Sequence, residues 1–380
     1  MFYRLFLFFI ILYPLCASEQ KVVFTENNAL TFTDIIRILE TKKNELIKLQ
    51  DHKDLKTFTC LPLHLKKGQK DPLVPRIRKK LLVKNYIKDS NLDSDIYDLT
   101  IEKGIRKFQE ENSIDNDGVF GMRTCVIFNQ PESVRIQQID KTIESLKEEN
   151  KKEKKRKIIV NAGTYQAFIV DSDGTIDHIQ AAVLGMKTRQ TPLMDTKITQ
   201  IVINPYWGVP NSILFKDKWK EIIANPNYLD ERHYQVFDSS NREVDSEDIE
   251  WSNYTEKNFP YHIRQKPGEH NALGNIKFIL NNKNAIYMHG SSQERDFKRK
   301  ERTFSSGCVR LEYPIDIAIW ILKGTSYSEE KIDSYLDEEK TVYIDLNKKI
   351  ETHIVAWPVF INEDKQVIFG NSFYTDEVKK

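Results

Sequence analysis

Glycine and proline are scarce in this sequence, with 14 and 13 of its 380 residues, and neither sign of charge dominates, because 57 basic side chains face 56 acidic ones. The low glycine and proline content excludes collagen-like and low-complexity proteins. The balanced charge argues against a dedicated nucleic-acid binder and against a disordered acidic protein. What remains is an ordinary globular protein with enough length for two or three domains.

Several ligand-binding motifs are also missing. The sequence has neither a Walker A pattern nor Gly-x-Gly-x-x-Gly, so we predict no nucleotide partner and no nucleic-acid partner. It has no Cys-x-x-Cys and no His-Glu-x-x-His, and its eight histidines are scattered, which argues against a metal site. We therefore predict that the protein needs no metal and no cofactor.

The N-terminus has the pattern of a secretory signal. Arg4 precedes an apolar run from Leu5 to Leu15, and small residues follow at positions 17 and 18. This run is shorter than the roughly 20 residues that span a bilayer, so we predict a signal peptide over residues 1–18 and an exported protein of the periplasm or cell envelope. Lipid attachment at Cys16 is a weaker alternative. Weak membrane association is expected only if the signal is retained or lipidated.

The exported chain would keep three cysteines, Cys60, Cys125 and Cys308. In a compartment where disulfides persist, an odd number leaves at least one thiol unpaired. Cys60 and Cys125 are either bonded to each other or buried as small apolar residues, and the sequence leaves both possibilities open. Cys308 is the candidate free thiol.

The first part of the chain has helical periodicity. An amphipathic helix is predicted after Thr31 and Asp34, which are spaced as a capping box, within an N-terminal segment over residues 19–65. Short helical periods follow near residues 77–82 and 101–108. A turn with Gly118 and Gly121 then precedes another short helix. We predict a small helical module over residues 66–130 and a charged linker helix over residues 131–156.

The helical module resembles the peptidoglycan-binding-like three-helix domain. The resemblance rests on Phe108-Gln109, on Asp117-Gly118 with Gly121, and on Thr124. It implies that glycan strands are a partner of the module. The alternative is a packing unit without glycan affinity.

After residue 157 the pattern changes to strands, which predicts a β-rich domain over residues 157–326 and an α+β multidomain fold. The strands at 276–280 and 285–288 flank a four-residue loop and deliver His289 to a strand end. Residues 215–262 interrupt the strand pattern as an insertion of the length of a lid or binding subdomain. Residues 327–380 are predicted to be a C-terminal extension.

The residues suited to chemistry lie in two stretches, Tyr287-Met288-His289-Gly290 and Ser305-Ser306-Gly307-Cys308-Val309-Arg310. A free thiol with a pKa of about 8.5 is mostly protonated at neutral pH, so a cysteine nucleophile needs a nearby base, and His289 is the candidate. Gly307 allows the backbone to approach a substrate carbonyl, so amide groups there are candidates for holding an oxyanion.

Together these stretches resemble the active-site signature of the L,D-transpeptidase (YkuD-type) family, with Gly307, Cys308 and Arg310 in register. Most members have histidine where this chain has Ser306. The serine is similar to the YcbB-like branch and leaves His289 as the only candidate base. Further blocks resemble that branch and occur in its order: Arg189 to Pro192, Asn204 to Pro210, Arg264 to Gly268, and Asn271 to Gly274.

The resemblance implies a peptidoglycan L,D-transpeptidase with a YkuD-like catalytic domain whose insertion is a capping subdomain. The Cys308 thiolate would attack a stem peptide, release D-Ala and pass the acyl group to an amine. The implied site comprises Cys308 and His289 as catalytic residues, Gly307, Ser306, Gly290, Tyr287 and Arg310 as oxyanion or supporting residues, and Arg264, Asn271, Gly274 and Ser305 as substrate-binding residues. Two alternatives stay open: an L,D-carboxypeptidase on the same fold and an inactive wall-binding scaffold.

Overall fold

The computed structural model describes residues 30–60, 64–88 and 91–375. The predicted signal peptide lies outside the described residues. Strand β1 (Leu30–Thr31) leads into helix α1 (Phe32–Leu49). The Thr31 hydroxyl accepts a hydrogen bond from the Asp34 backbone, and the Asp34 carboxylate accepts one from the Thr31 backbone, so the predicted capping box is confirmed.

The helical module has a core of its own. It consists of β2 (His64–Leu65), α2 (Val74–Val83), α3 (Leu99–Glu111), β3 (Phe120–Gly121) and α4 (Met122–Phe128). Its buried side chains form a cluster that is separate from the clusters of the sheet.

A side-chain amide explains the spacing of the glycine turn in this module. The Gln109 amide nitrogen donates to the Asp117 carboxylate at 2.8 Å, and its oxygen accepts from the Gly118 backbone at 2.8 Å. Gln109 therefore closes the turn onto helix α3. A disulfide joins Cys60 to Cys125, with the two Cα atoms 5.8 Å apart, so Cys308 is the free cysteine of the described residues.

Helix α5 (Glu132–Lys151) lies where the charged linker helix was expected. It is not solvated all round, because Ile139, Ile143 and Leu146 are buried in a cluster shared with α1. Near its end, the buried Glu149 carboxylate accepts from the Lys157 ammonium group at 2.7 Å. The helix is therefore packed onto the sheet domain along one face.

The rest of the chain is mostly strands. In chain order they are β4 (Lys157–Asn161), β5 (Gln166–Val170), β6 (Thr175–Gly185), β7 (Met194–Ile203), β8 (Trp207–Gly208), β9 (Tyr234–Phe237), β10 (Glu243–Val244), β11 (His262–Gln265), β12 (Ile276–Leu280), β13 (Tyr287–His289), β14 (Thr303–Ser305), β15 (Val309–Leu311), β16 (Val342–Val355), β17 (Val359–Ile361) and β18 (Val367–Phe369). The helices among them are α6 (Asn211–Ile213), α7 (Trp219–Ala224), α8 (Tyr228–Glu231), α9 (Pro314–Leu322) and α10 (Glu329–Asp337).

The main sheet has ten strands. Nine have the order β1-β6-β15-β13-β12-β7-β16-β4-β5, the tenth, β14, pairs with β6, and the pairing of β5 with β6 closes the sheet on itself. Strand β16 lies between β7 and β4, antiparallel to the first and parallel to the second. The predicted boundary at residue 326 therefore falls inside the sheet, and the expected C-terminal extension supplies one of its strands. Asn347, Lys348 and Lys349 obscure this strand in the sequence, because they sit at an irregularity between Asp345 and Ile350.

A second-sheet unit occupies residues 207–265, around the expected insertion. Its strand order is β10-β9-β11-β8, and helices α6 to α8 accompany it. The unit has its own core, in which Leu273 is buried and against which Tyr287 packs from the main sheet. The unit thus lies against the end of β13, next to the predicted catalytic residues. No helix in the described parts of the chain is long and apolar enough to cross a membrane.

Candidate active site

The strand register gathers the predicted residues on one face of the main sheet. Strands β13 and β15 are parallel, with Met288 opposite Val309 and His289 opposite Arg310. Met288 and Val309 are fully buried in the main core. Because side chains alternate along a strand, Tyr287, His289 and Arg310 point to the other face, towards the second-sheet unit.

Cys308 lies directly before β15 and beside Tyr287. The backbone N–H and the hydroxyl of Tyr287 lie close enough to the Cys308 sulfur to favour its thiolate form. Burial raises the pKa of the Cys308 thiol, whereas these two groups and the charges of Lys277 and Arg310 act in the opposite direction. In the absence of substrate the protonated thiol is therefore the favoured form.

His289 is buried, with 5% of its surface exposed. Burial, assisted by the charges of Arg310 and Lys277, lowers the pKa of His289 to about 3. The carbonyls of Leu273 and Gly290 lie close enough to oppose this shift, although Nδ1 makes no well-formed hydrogen bond with any described residue. The imidazole is thus neutral at neutral pH, which is the form that can accept a proton.

The Ser305 hydroxyl shapes the loop that carries the nucleophile. It donates to the Cys308 carbonyl at 2.5 Å and accepts from the Gly307 N–H at 3.1 Å. Ser305 is 2% exposed, and both polar contacts of its side chain are with the loop backbone. The same contact occupies the Gly307 N–H, which the sequence suggested as an oxyanion donor. Gly307 has φ +118°, a conformation that requires glycine.

Arg310 is tied to an acidic side chain behind the site. One guanidinium nitrogen lies 3.3 Å from the Asp296 carboxylate and 3.4 Å from the Gln293 side-chain oxygen. Asp296 is itself buried, at 6% exposure. This pair makes Arg310 a brace between β15 and the segment after Gly290.

Two of the expected substrate-binding residues support the backbone instead. Asn271 is fully buried, and its amide nitrogen donates to the carbonyls of Pro205 and Lys266 at 2.9 Å each. Gly274 has φ +62°, and a Cβ there would lie 2.7 Å from the Ser291 nitrogen. Both residues let the 271–274 loop pack directly against the strand end at Gly290.

Arg264 lies away from the nucleophile, on β11 of the second-sheet unit. Its guanidinium carbon is 4.5 Å from the Tyr206 ring centroid and 4.3 Å from that of Phe237, and Nε donates to Gln235 at 3.1 Å. Arg264 therefore stabilises the second sheet. Of the supporting residues, Gly290 donates its N–H to Ile276 at 3.0 Å, while Ser306 is half-buried between Ser305 and Gly307.

Three residues that the sequence analysis did not single out belong to this site. Lys277 stands opposite His289 on β12, the Trp207 side chain lies close enough to the Tyr287 hydroxyl to lower its pKa against the effect of burial, and Asp296 is the counter-ion of Arg310. A lysine within the apolar run 276–280 was the one signal available from the sequence. In the described parts of the chain, no group of three or more His, Cys, Asp or Glu side chains is arranged to hold a metal ion.

A free cysteine and a neutral histidine on one sheet face are the groups of a cysteine-dependent acyl-transfer enzyme. The model of the YkuD L,D-transpeptidase catalytic domain matches residues 155–344, which is half of the chain. This protein therefore belongs to the YkuD family of L,D-transpeptidase catalytic domains. Members of this family are cysteine-dependent cell-wall enzymes that act on peptidoglycan and are typically exported.

Individual relatives agree with this family. A Haemophilus influenzae (strain Rd) protein named as an L,D-transpeptidase is 33% identical over 203 residues, or 53% of this chain, but the match spans only 41% of that relative's length. Two solved L,D-transpeptidases show a weaker likeness, each over 78% of this chain. The enzyme of Xylanimonas cellulosilytica is 13% identical, with a TM-score of 0.23, and the match covers 100% of its chain. The enzyme of Stackebrandtia nassauensis is 12% identical, with a TM-score of 0.27, and the match covers 97% of its chain. Scores this low do not establish a shared fold, so the assignment rests on the family match.

Proposed function

We propose that this protein is an exported peptidoglycan L,D-transpeptidase that uses Cys308 as its nucleophile and His289 as its base. The observation that carries the proposal is the position of the free Cys308 thiol against Tyr287, on the sheet face that it shares with His289. The substrate would be the stem peptide of peptidoglycan, as it is for the family.

The reaction would proceed in two acyl transfers. The Cys308 thiolate attacks the carbonyl carbon of the bond between the L-configured centre and the terminal D-Ala, and His289 takes up the thiol proton. The C–N bond breaks, the proton passes to the departing D-Ala amine, and a thioester remains. An amine of a neighbouring stem then attacks the thioester carbonyl, loses its proton to His289 and releases the thiolate.

Burial of His289 favours one direction of this proton transfer, the return of the proton from the imidazolium to the leaving amine. The neutral imidazole can accept the thiol proton, while burial makes the imidazolium a strong acid that returns the proton to the leaving amine. The tetrahedral oxyanion would be held by the Cys308 N–H and the Tyr287 hydroxyl. Ser305 and Gly307 would hold the loop in place, since the Gly307 N–H is bonded to the Ser305 hydroxyl.

The surrounding units would adapt this site to the cell wall. We propose that the second-sheet unit is the capping subdomain, because it packs against Tyr287 beside the nucleophile. The module over residues 66–130 would bind glycan strands, as its resemblance to the peptidoglycan-binding-like domain implies. Residues 1–18 would direct export to the periplasm and then be removed.

The test is mass spectrometry of the mature protein incubated with disaccharide-tetrapeptides, with Cys308→Ala as the matched control. We expect the wild type alone to release D-Ala and to form dimers joined between third-position residues. Tripeptide without dimers would show that water is the acceptor and that the protein is an L,D-carboxypeptidase. Unchanged tetrapeptide with folded wild-type protein would contradict the enzyme and favour a wall-binding scaffold.

A further inference from the structure

Lys277 is a charged residue of the site that the mechanism above does not use. We propose that the Lys277 ammonium group stabilises the Cys308 thiolate and thereby sets the reactivity of the nucleophile. The inference rests on the proposed nucleophilic role of Cys308. It assigns Lys277 as a positioning residue, because it acts through the thiolate and the Tyr287 ring.

The hairpin register places Lys277 at the site. Lys277 pairs with His289 across β12 and β13, so the two side chains share the face that also carries Tyr287. The Lys277 nitrogen lies 4.0 Å from the centroid of the Tyr287 ring, a cation–π contact that fixes the ammonium group over this ring. Tyr287 lies beside Cys308, because β13 and β15 are parallel and Met288 is opposite Val309, the residue after Cys308.

The Cys308 thiolate is the anion that can pair with the Lys277 ammonium group. Burial lowers the pKa of Lys277, and Cys308 is the group that acts in the opposite direction. No carboxylate among the described residues forms an ion pair with Lys277 or contributes to this shift. A half-buried ammonium group without a carboxylate is most stable when an anion forms beside it, and the deprotonated Cys308 is such an anion.

The other groups that face Cys308 do not replace this charge. Tyr287 contributes no positive charge, and the neutral His289 contributes no charge either. Arg310 is cationic, but its charge is compensated by Asp296 at 3.3 Å. Lys218 of the second-sheet unit influences Arg310 and is not among the groups that act on Cys308.

The test measures the titration of Cys308 directly. The rate of alkylation by the neutral reagent iodoacetamide is followed against pH and assigned to the Cys308 peptide by mass spectrometry. Lys277→Met removes the charge and keeps the aliphatic stem, Lys277→Arg keeps the charge, and Lys283→Met removes a lysine from the exposed hairpin loop as the matched control. Thermal unfolding identifies the variants that fold, and Lys277→Gln replaces Lys277→Met if the latter does not.

We expect Lys277→Met to shift the alkylation profile to higher pH by about one unit, which is about a tenfold loss of rate at pH 7. Lys277→Arg and Lys283→Met should stay near the wild-type profile. An unchanged profile in folded Lys277→Met, or equal shifts in the Met and Arg variants, would overturn the inference. The titration needs no stem peptide, so its outcome is separate from that of the transfer assay, which tests the proposed function.

Discussion

The Ser305 hydroxyl joins both ends of the turn before the nucleophile, since it bonds to the Cys308 carbonyl and to the Gly307 N–H. Ser305→Ala leaves two backbone groups without this partner, which should lower the free energy of unfolding by about 1 kcal/mol. We also expect slower alkylation of Cys308, because the turn at Gly307 loses its anchor. Urea unfolding and thiol kinetics measure the two effects.

Ser306→Ala is the matched control for this prediction. It removes the same atom from the neighbouring residue, which is half-buried and makes no comparable side-chain contact with the described loop. Equal losses in the two variants would show that the hydroxyl of Ser305 has no special role in the turn.

His289 should make the protein sensitive to acid. Its folded pKa of about 3 lies below the ordinary value of 6.5, so the unfolded chain binds a proton that the folded protein does not. The contribution of His289 to the free energy of unfolding is fully present above pH 6.5. It falls as the pH is lowered towards 3, by up to about 1.4 kcal/mol per pH unit. His289→Gln should flatten this slope in denaturant titrations between pH 6.5 and 4.

The exposed His64 provides the comparison for the acid-stability experiment. His64→Gln makes the same replacement at an exposed position and so controls for the exchange of a histidine for a glutamine. A wild-type slope in His289→Gln as well would mean that His289 is protonated in the folded protein.

At the scale of single residues, the sequence predicts which residues lie at the candidate site better than it predicts what their side chains contact. The order of His289, Gly307, Cys308 and Arg310 predicts residues that the strand register brings together, since His289 is opposite Arg310 and Cys308 directly precedes β15. The expected substrate roles of Asn271 and Ser305 stay predictions, and the structure adds that both side chains bond to backbone, because an amide or a hydroxyl bonds to backbone as readily as to a ligand. A one-dimensional pattern does not distinguish these two outcomes.

At the scale of elements, one loop residue decides which side chains meet. The sequence predicts a four-residue loop over 281–284, which would place Lys277 opposite Met288. Ala285 instead adopts φ +53° and lengthens the loop by one residue, so Lys277 stands opposite His289. A shift of the strand register by one residue moves every side chain of the strand to the opposite face of the sheet. The predicted loop would therefore have directed Lys277 to the main core.

Strand β16 should be indispensable to the catalytic sheet. It pairs with β7 through Val342 to Ile354 and with β4 through Glu351 to Val355. A chain that ends at residue 341 would leave both neighbours with unpaired backbone groups. We therefore expect it to lose cooperative unfolding, as followed by circular dichroism.

A chain that ends at Thr375 keeps every described strand and is the control for this truncation. It should unfold like the full chain. If the chain that ends at residue 341 also unfolded in this way, β16 would be an accessory strand and the predicted boundary at 326 would be correct.

At the scale of the whole molecule, the helical module and the main sheet have separate cores. Loss of the disulfide should therefore destabilise the helical module and leave the main sheet unchanged. Replacing both Cys60 and Cys125 by serine should destabilise the helical module by about 2–4 kcal/mol, because the disulfide closes a long loop. Proteolysis should then cut within residues 66–130 first. Alkylation of Cys308 should keep its wild-type rate.

The alternative outcome would be equally informative about the architecture. The module contacts the segment between β13 and β14 through Lys300, whose ammonium group lies 2.5 Å from the Glu110 carboxylate, and through Arg123, which lies 3.5 Å from Glu301. It also contacts helix α5 through the buried ion pair of Lys84 and Glu132. Faster alkylation of Cys308 in the double serine variant would show that such contacts couple the two parts into one cooperative unit.

The position of β16 also has a consequence for biosynthesis. The strand that fills the gap between β4 and β7 is the last of the ten in the main sheet to be made, so a ribosome must release residue 355 before that sheet can close. Until then the nascent chain exposes the edges of strands made some 150 residues earlier, and closure depends on contacts between distant parts of the chain, which form slowly. Until β16 joins the sheet, the chain can be bound by proteins that recognise unfolded polypeptides.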